Sequence, residues 1–154
     1  MSLSQANFVS GKDAVFSRIE VGLQFHKTID YDRRAMRRAL NVGAAQVRKE
    51  ARRLLSKRAV SLPGEAPGQD TGALKRSIGI VRRGGKKGYV VIGPRTFAKA
   101  GLPDDFFYPA VLYYGSGKRN IAKRENFMVT ALQNRREQVK ATIQDALRST
   151  LVPR

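Results

Sequence analysis

Arg33-Arg34-Ala35-Met36-Arg37-Arg38-Ala39-Leu40-Asn41-Val42-Gly43-Ala44-Ala45-Gln46-Val47-Arg48-Lys49-Glu50-Ala51-Arg52-Arg53-Leu54 contains no proline and a single glycine. Within it Met36, Leu40, Ala44, Val47, Ala51 and Leu54 recur at steps of four, four, three, four and three. That spacing lays one apolar stripe along a helix of about seven turns, and the stripe must face a core. Just upstream, Thr28-Ile29-Asp30-Tyr31-Asp32 offers capping oxygens and two carboxylates where a helix start favours negative charge, so the helix is expected to begin there. Its other faces hold Arg33, Arg34, Arg37, Arg38, Arg48, Lys49, Arg52 and Arg53, continued by Lys57 and Arg58, and only Asp32 and Glu50 offset these ten cations. Two readings compete for them. One is an ordinary solvated basic face; the other is a surface that meets DNA or an acidic ring of protein.

The whole chain repeats that bias, with 30 Lys+Arg against 12 Asp+Glu in 154 residues, a formal net charge of +18. Such a field attracts polyanions and gives salt-sensitive affinity for nucleic acid, whatever the fold. A hydrophobic share of 42% supports one globular core in a chain of single-domain size. With no cysteine and one histidine, disulfides, thiolate nucleophiles and Cys/His zinc sites are excluded. Met1-Ser-Leu-Ser-Gln-Ala-Asn lacks the basic flank and apolar run of a signal peptide, and no run of 18 apolar residues occurs, so neither export by that route nor a membrane partner is expected.

Upstream of the helix, residues 1–16 are polar at first and weakly patterned, and a flexible N-terminus is expected. From Ser17 to Phe25, Ile19, Val21, Leu23 and Phe25 alternate with Arg18, Glu20, Gly22 and Gln24, the period of a half-buried strand. Downstream, residues 59–70 carry two Pro-Gly pairs and read as a mobile loop, a candidate to order on assembly. Asp70-Thr71-Gly72-Ala73-Leu74 caps a short helical turn through Ser77. Ile78, Ile80 and Val81 then lead through Arg82-Arg83-Gly84-Gly85-Lys86-Lys87-Gly88 to Tyr89-Val90-Val91-Ile92, a hairpin. Its glycines do not make a phosphate loop, because no G-x-x-x-x-G-K-[ST] string and no following helix accompany them.

Residues 95–105 form a second expected mobile loop, followed by the aromatic run Phe106-Phe107-Tyr108-Pro109-Ala110-Val111-Leu112-Tyr113-Tyr114-Gly115. No Lys or Arg lies between Phe106 and Gly117, which favours core or subunit packing over base stacking. A last helix is expected from Glu125 to Thr150, with Met128, Leu132, Val139, Ile143, Ala146 and Leu147 on one side, Arg135 or Arg136 at the missing turn, and Pro153 closing it. The resulting architecture is α+β: a small antiparallel sheet packed with two long amphipathic helices, which lie on one face of the sheet or on each other, in a single domain over residues 17–151.

Catalytic chemistry finds little material. His26 has no partner motif, and no serine elbow, paired carboxylates, H-E-x-x-H or calcium loop occurs. Glu125 and Asp145 stand too far apart on one helix to share a site, and Asp104-Asp105 alone is weak as a metal pair. No enzyme, catalytic residue, cofactor or metal is expected.

Pro67-Gly68-Gln69-Asp70-Thr71-Gly72-Ala73-Leu74-Lys75-Arg76-Ser77-Ile78, set between a basic amphipathic helix and a hairpin, resembles the minor tail and tail-completion proteins of lambda-like long-tailed phages. In that family a P, T-G-x-L-x-x-S-I segment occupies this place, matched here by Pro67, Thr71, Gly72, Leu74, Ser77 and Ile78. Tyr108, Leu112, Tyr114, Gly115 and Ser116 follow the family's aromatic segment, with Tyr113 where an acidic residue is usual and Asn126 where a proline usually opens the last helix. The resemblance covers residues 18–150. It implies a structural protein, copied as a ring about the tail axis, that completes the tail or joins it to the head. Its partners would then be itself, other tail or connector proteins and, non-specifically, DNA. It would be assembled in the host cytoplasm and carried in the virion tail or neck. Pro67, Thr71, Gly72, Leu74, Tyr108, Tyr113 and Tyr114 become candidate subunit-interface residues. Arg33, Arg34, Arg37, Arg38, Arg48, Lys49, Arg52 and Arg53 become candidates for DNA or an acidic partner. A nucleic-acid-binding module using the basic helix face is the rival reading, and a small prophage regulator or toxin a third.

Overall fold

The computed structural model describes residues 17–20, 29–84, 88–95 and 108–153. The expected flexible N-terminus, the second half of the first strand, His26 and almost all of the loop at 95–105 lie outside them.

The basic amphipathic segment forms helix α1, Arg33–Leu54, and the last expected helix forms α4, Phe127–Thr150. They pack along each other in the most extensive contact of the fold. Met36, Leu40, Ala44, Val47 and Ala51 from α1 meet Met128, Ala131, Leu132, Val139 and Ile143 from α4 in one buried cluster. Full burial of each large member contributes roughly 1.5 to 3 kcal/mol, so a stripe repeated down both helices is enough to lock them together. Gly43 marks a close approach of the pair: a Cβ there would stand 3.0 Å from Val139 Cγ1.

Strand β1, Ser17–Glu20, pairs antiparallel with β4, Tyr89–Pro94, which also pairs with β3, Ile78–Gly84. The sheet order is therefore β1-β4-β3. Along β4, Val90, Ile92 and Pro94 are buried while Tyr89 and Val91 are half-exposed, as a period of two requires. Ile19, Ile78, Val90 and Ile92 join the same core as the helices, and α1 lies against both β3 and β4. A register shift between Ile80 and Arg82 makes Val81 the extra residue of a β-bulge and leaves it 44% exposed.

Three local outcomes differ from the sequence reading. First, Ile29–Tyr31 is not the opening of the helix but a strand, β2, which pairs with Leu151–Pro153, β5, immediately after α4. Asp32 alone is the N-cap, its Oδ1 accepting from the backbone N–H groups of Arg34 (2.7 Å) and Ala35 (3.2 Å). Second, α1 stops at Leu54, so Lys57 and Arg58 lie on the following loop. Leu55 turns extended and is buried, and the returning chain supplies its partners: Gln69 Nε2 donates to the Leu55 carbonyl, and Ser56 N–H to that of Pro67. Third, the aromatic run, to which the sequence reading assigned no element, is partly helical: α3 spans Tyr108–Tyr114.

The short turn before the hairpin is helix α2, Ala73–Ser77. Gly72, with φ of +70°, enters it, and within the expected capping stretch it is Thr71 whose Oγ1 accepts from Ala73 N–H.

Candidate functional site

The described residues offer two surfaces and one buried charge centre. At 100° per residue, Arg34, Arg38, Lys49, Arg52 and Arg53 fall on the side away from the apolar stripe of α1, Arg37 and Arg48 flank it, and Arg33, in line with the stripe, stands at the open start of the helix. Arg33, Arg34, Arg37, Arg38, Lys49 and Arg53 are exposed, and Arg48 and Arg52 half-buried. The cations form two clusters, one in the first two turns and one in the last two. Between them the outward positions are Asn41, Val42 and Ala45, while Gln46 is turned to α4, its Nε2 donating to Thr142 Oγ1 at 3.3 Å.

The two readings of Glu50 and Arg135 change together. The sequence reading counted Glu50 among the charges offsetting the basic face, but it points inward and is 2% exposed. Arg53 holds it through Nη2 at 2.6 Å and Nε at 3.0 Å, and α4 adds Arg135 Nη2 at 3.0 Å and Asn134 Nδ2 at 3.2 Å. The Arg53 hydrogen bonds, supported by Asn134 and Arg135, hold the Glu50 carboxyl at a pKa of about 2 against burial, which opposes them. Arg135 is thus the polar member of the α4 stripe, seated on the polar member of the α1 stripe. The signal was present in the sequence: Met36, Gly43 and Glu50 are seven apart and share the inner face.

Among the eight basic candidates, Arg53 is committed to Glu50, and Arg52 donates from Nη2 to the carbonyl of Ile78 at 2.8 Å. Burial, and then the like charges of Arg48 and Arg95, lower the pKa of Arg52, which places Arg95 of the sheet end beside this second cluster. Among the described residues no carboxylate forms an ion pair with Arg33, Arg34, Arg37, Arg38, Arg48 or Lys49.

The candidate interface residues divide by depth. Pro67 and Leu74 are buried within the chain, Gly72 is half-buried at the α2 entry, and Thr71 is exposed. Tyr108 opens α3, where Tyr113 stands edge-on to Tyr114 at 4.7 Å between ring centroids and under Lys123 Nζ at 5.4 Å. Tyr114 is 60% exposed.

A surface the sequence reading missed lies on the loop after α1. Val60 is 79% and Leu62 61% exposed, although Ser61 between them is buried. Leu62-Pro63-Gly64-Glu65 closes a turn through Glu65 N–H to the Leu62 carbonyl, with Pro at its second place and Gly64 at φ +79° at its third, the type II pattern. Gly64 N–H donates to the Lys123 carbonyl and Glu125 N–H to that of Glu65, fastening the turn to the segment before α4. Gly68 has no room for a side chain: a Cβ would stand 2.6 Å from the Ala59 carbonyl oxygen. Two large apolar side chains are therefore displayed on a loop tied by main-chain bonds, which composition alone did not reveal.

A family model described as "Bacteriophage HK97-gp10, putative tail-component" matches residues 20–112, well over half of the chain. The chain belongs to that family of bacteriophage tail components. The matched span holds all eight basic candidates of α1, the Pro67–Ile78 segment and the hairpin, and ends just before Tyr113 and Tyr114. No curated protein and no solved structure matches the chain. The tail component has, among its described residues, no helix long and apolar enough to cross a membrane and no group of His, Cys, Asp or Glu that could hold a metal ion.

Proposed function

We propose that this tail component completes the tail, or joins it to the head, as a ring of subunits at the junction of the two. Membership of the tail-component family carries the reading. Two features of the chain support it. The α1–α4 pair and its sheet make a well-packed body, and Val60 and Leu62 on a hydrogen-bonded loop and Tyr114 at the end of α3 add exposed large side chains, which suits contact with neighbouring subunits. The outer edge of β3 has no strand partner among the described residues, and a neighbouring subunit could extend the sheet there.

In this reading Thr71, Tyr113 and Tyr114 touch neighbours directly, while Pro67, Gly72 and Leu74 shape the loop from beneath. The loop at 59–70, held by main-chain hydrogen bonds within the chain, presents Val60 and Leu62 to a neighbour. The chain assembles in the host cytoplasm and ends in the tail or neck of the virion. No catalytic step and no cofactor enters this role.

Deleting the gene from its phage or prophage and imaging the lysate by electron microscopy tests the role. Separate full heads and tails, or tails of aberrant length, are expected. Normal joined virions would refute it.

A further inference from the structure

The outward face of α1 has three properties that together select a partner. It is cationic with little relief: the helix's one acid, Glu50, is turned inward and held by Arg53, Arg135 and Asn134, which leaves only the N-cap carboxylate of Asp32 near Arg34 and Arg38. Its exposed cations in the first cluster are all arginines, whose planar fork suits phosphate oxygens, and they occupy the helix end whose dipole disfavours positive charge. A protein interface normally centres on a buried aromatic or aliphatic anchor. Here only Val42 and Ala45 stand between the clusters, with Asn41 beside them.

Spacing adds the fourth element. From Arg38 to Arg48 is ten residues, about 15 Å along the axis at 1.5 Å per residue. A B-DNA major groove is about 12 Å wide, so a helix laid across it places one cluster over each wall. The short uncharged middle offers little to read base edges with.

We infer that the outward face of α1 holds the phosphate backbone of double-stranded DNA without reading its sequence. Arg33, Arg34, Arg37 and Arg38 lie on one wall of a groove, Arg48 and Lys49 on the other. The inference deepens the tail-component reading by naming what this face touches.

Binding of the full-length protein to two 30-base-pair duplexes of unrelated sequence, followed by fluorescence anisotropy across a sodium chloride series, tests it. Six phosphate contacts give a slope of log K against log salt of about −5, equal for the two duplexes. Replacing Arg33, Arg34, Arg37 and Arg38 by Gln should flatten the slope by between about three and four, and R48Q/K49Q by about two, since each contact carries about 0.9. A control in which Lys75, Arg76, Lys118 and Lys140, exposed elsewhere, become Gln should leave it nearly unchanged. Equal flattening by the control, a strong preference for one duplex, or undiminished binding by both α1 variants would overturn the contact. So would poly-glutamate binding as tight as the duplex and lost with the same variants, which would assign the face to an acidic protein. Because the assay uses purified protein, a joining defect in the deletion mutant with no duplex binding sinks this contact alone. Duplex binding with normal virions sinks the tail role alone.

Discussion

On its inner face α1 carries one charged residue, Glu50, 2% exposed and bonded by Arg53, Arg135 and Asn134; on its outer face it carries two clusters of cations, six of which meet no carboxylate in an ion pair among the described residues. Both faces are built from one arginine-rich stretch, yet charge is treated oppositely on them. Inside, low exposure makes an unpaired carboxylate costly, so the chain supplies its own counter-ions from two helices. Outside, water tolerates the excess, and the proposed DNA contact would neutralise it. Mutation should separate the faces cleanly: the inner one governs stability, the outer one binding.

The largest effect is expected from Glu50→Ala. It removes the common acceptor of Arg53, Arg135 and Asn134. Breaking a buried ion pair typically costs 3 to 5 kcal/mol, but both arginines reach solvent, so a loss of about 2 to 3 kcal/mol is expected from urea unfolding. A loss below about 0.5 kcal/mol would mean that Glu50 is as dispensable as a surface charge.

Acid should reproduce much of that loss. The Glu50 pKa is about 2 in the folded chain against 4.5 ordinarily. Its contribution is therefore whole above pH 4.5 and drains away as the pH falls towards 2. The fall in wild-type stability across that window should be larger than in Glu50→Gln by about 2 to 3 kcal/mol. Parallel curves for the two proteins would show that the carboxylate is not held ionised by its neighbours.

Next in size is Gly43→Val, which forces the α1–α4 approach apart because Val139 Cγ1 already lies 3.0 Å from where a Cβ would stand. Overpacking of this kind costs about 1 to 3 kcal/mol, read as a lowered urea midpoint. A companion Val139→Ala should recover part of the loss if the contact is the cause.

The smallest stability effect belongs to the outer face. Arg37→Gln and Lys49→Gln should each change unfolding free energy by no more than about 0.5 kcal/mol. A larger destabilisation of either would blur the division between the two faces.

Much of this was legible in the sequence, and the exceptions have physical causes. The 36-40-44-47-51-54 stripe identified α1 and the alternation around Ile19 a strand, because periodic burial leaves periodic apolar residues, while the hairpin was read from two apolar runs flanking a Gly-rich turn. Strands β2 and β5 left no such trace: each is three residues long, and the partner of Ile29, Pro153, lies more than a hundred residues away along the chain. Helix α3 was hidden by tyrosine and valine, which favour strands, although Pro109 in its first turn is compatible with a helix start. Glu50 was misread because a carboxylate among arginines looks solvated until its seven-residue spacing from Gly43 and Met36 is weighed. The basic candidates were found by density alone; the structure added that Arg52 and Arg53 have partners within the chain, and that Val60 and Leu62 form a second exposed surface.

Cryo-electron microscopy of purified particles of the phage that encodes the chain is the most direct test of the role proposed here. The account predicts a ring at the head-tail junction or the upper end of the tail into which the α1–α4 body and its sheet fit, with the outer face of α1 turned to the DNA channel. Particles that are complete and infectious yet contain none of this chain would contradict it.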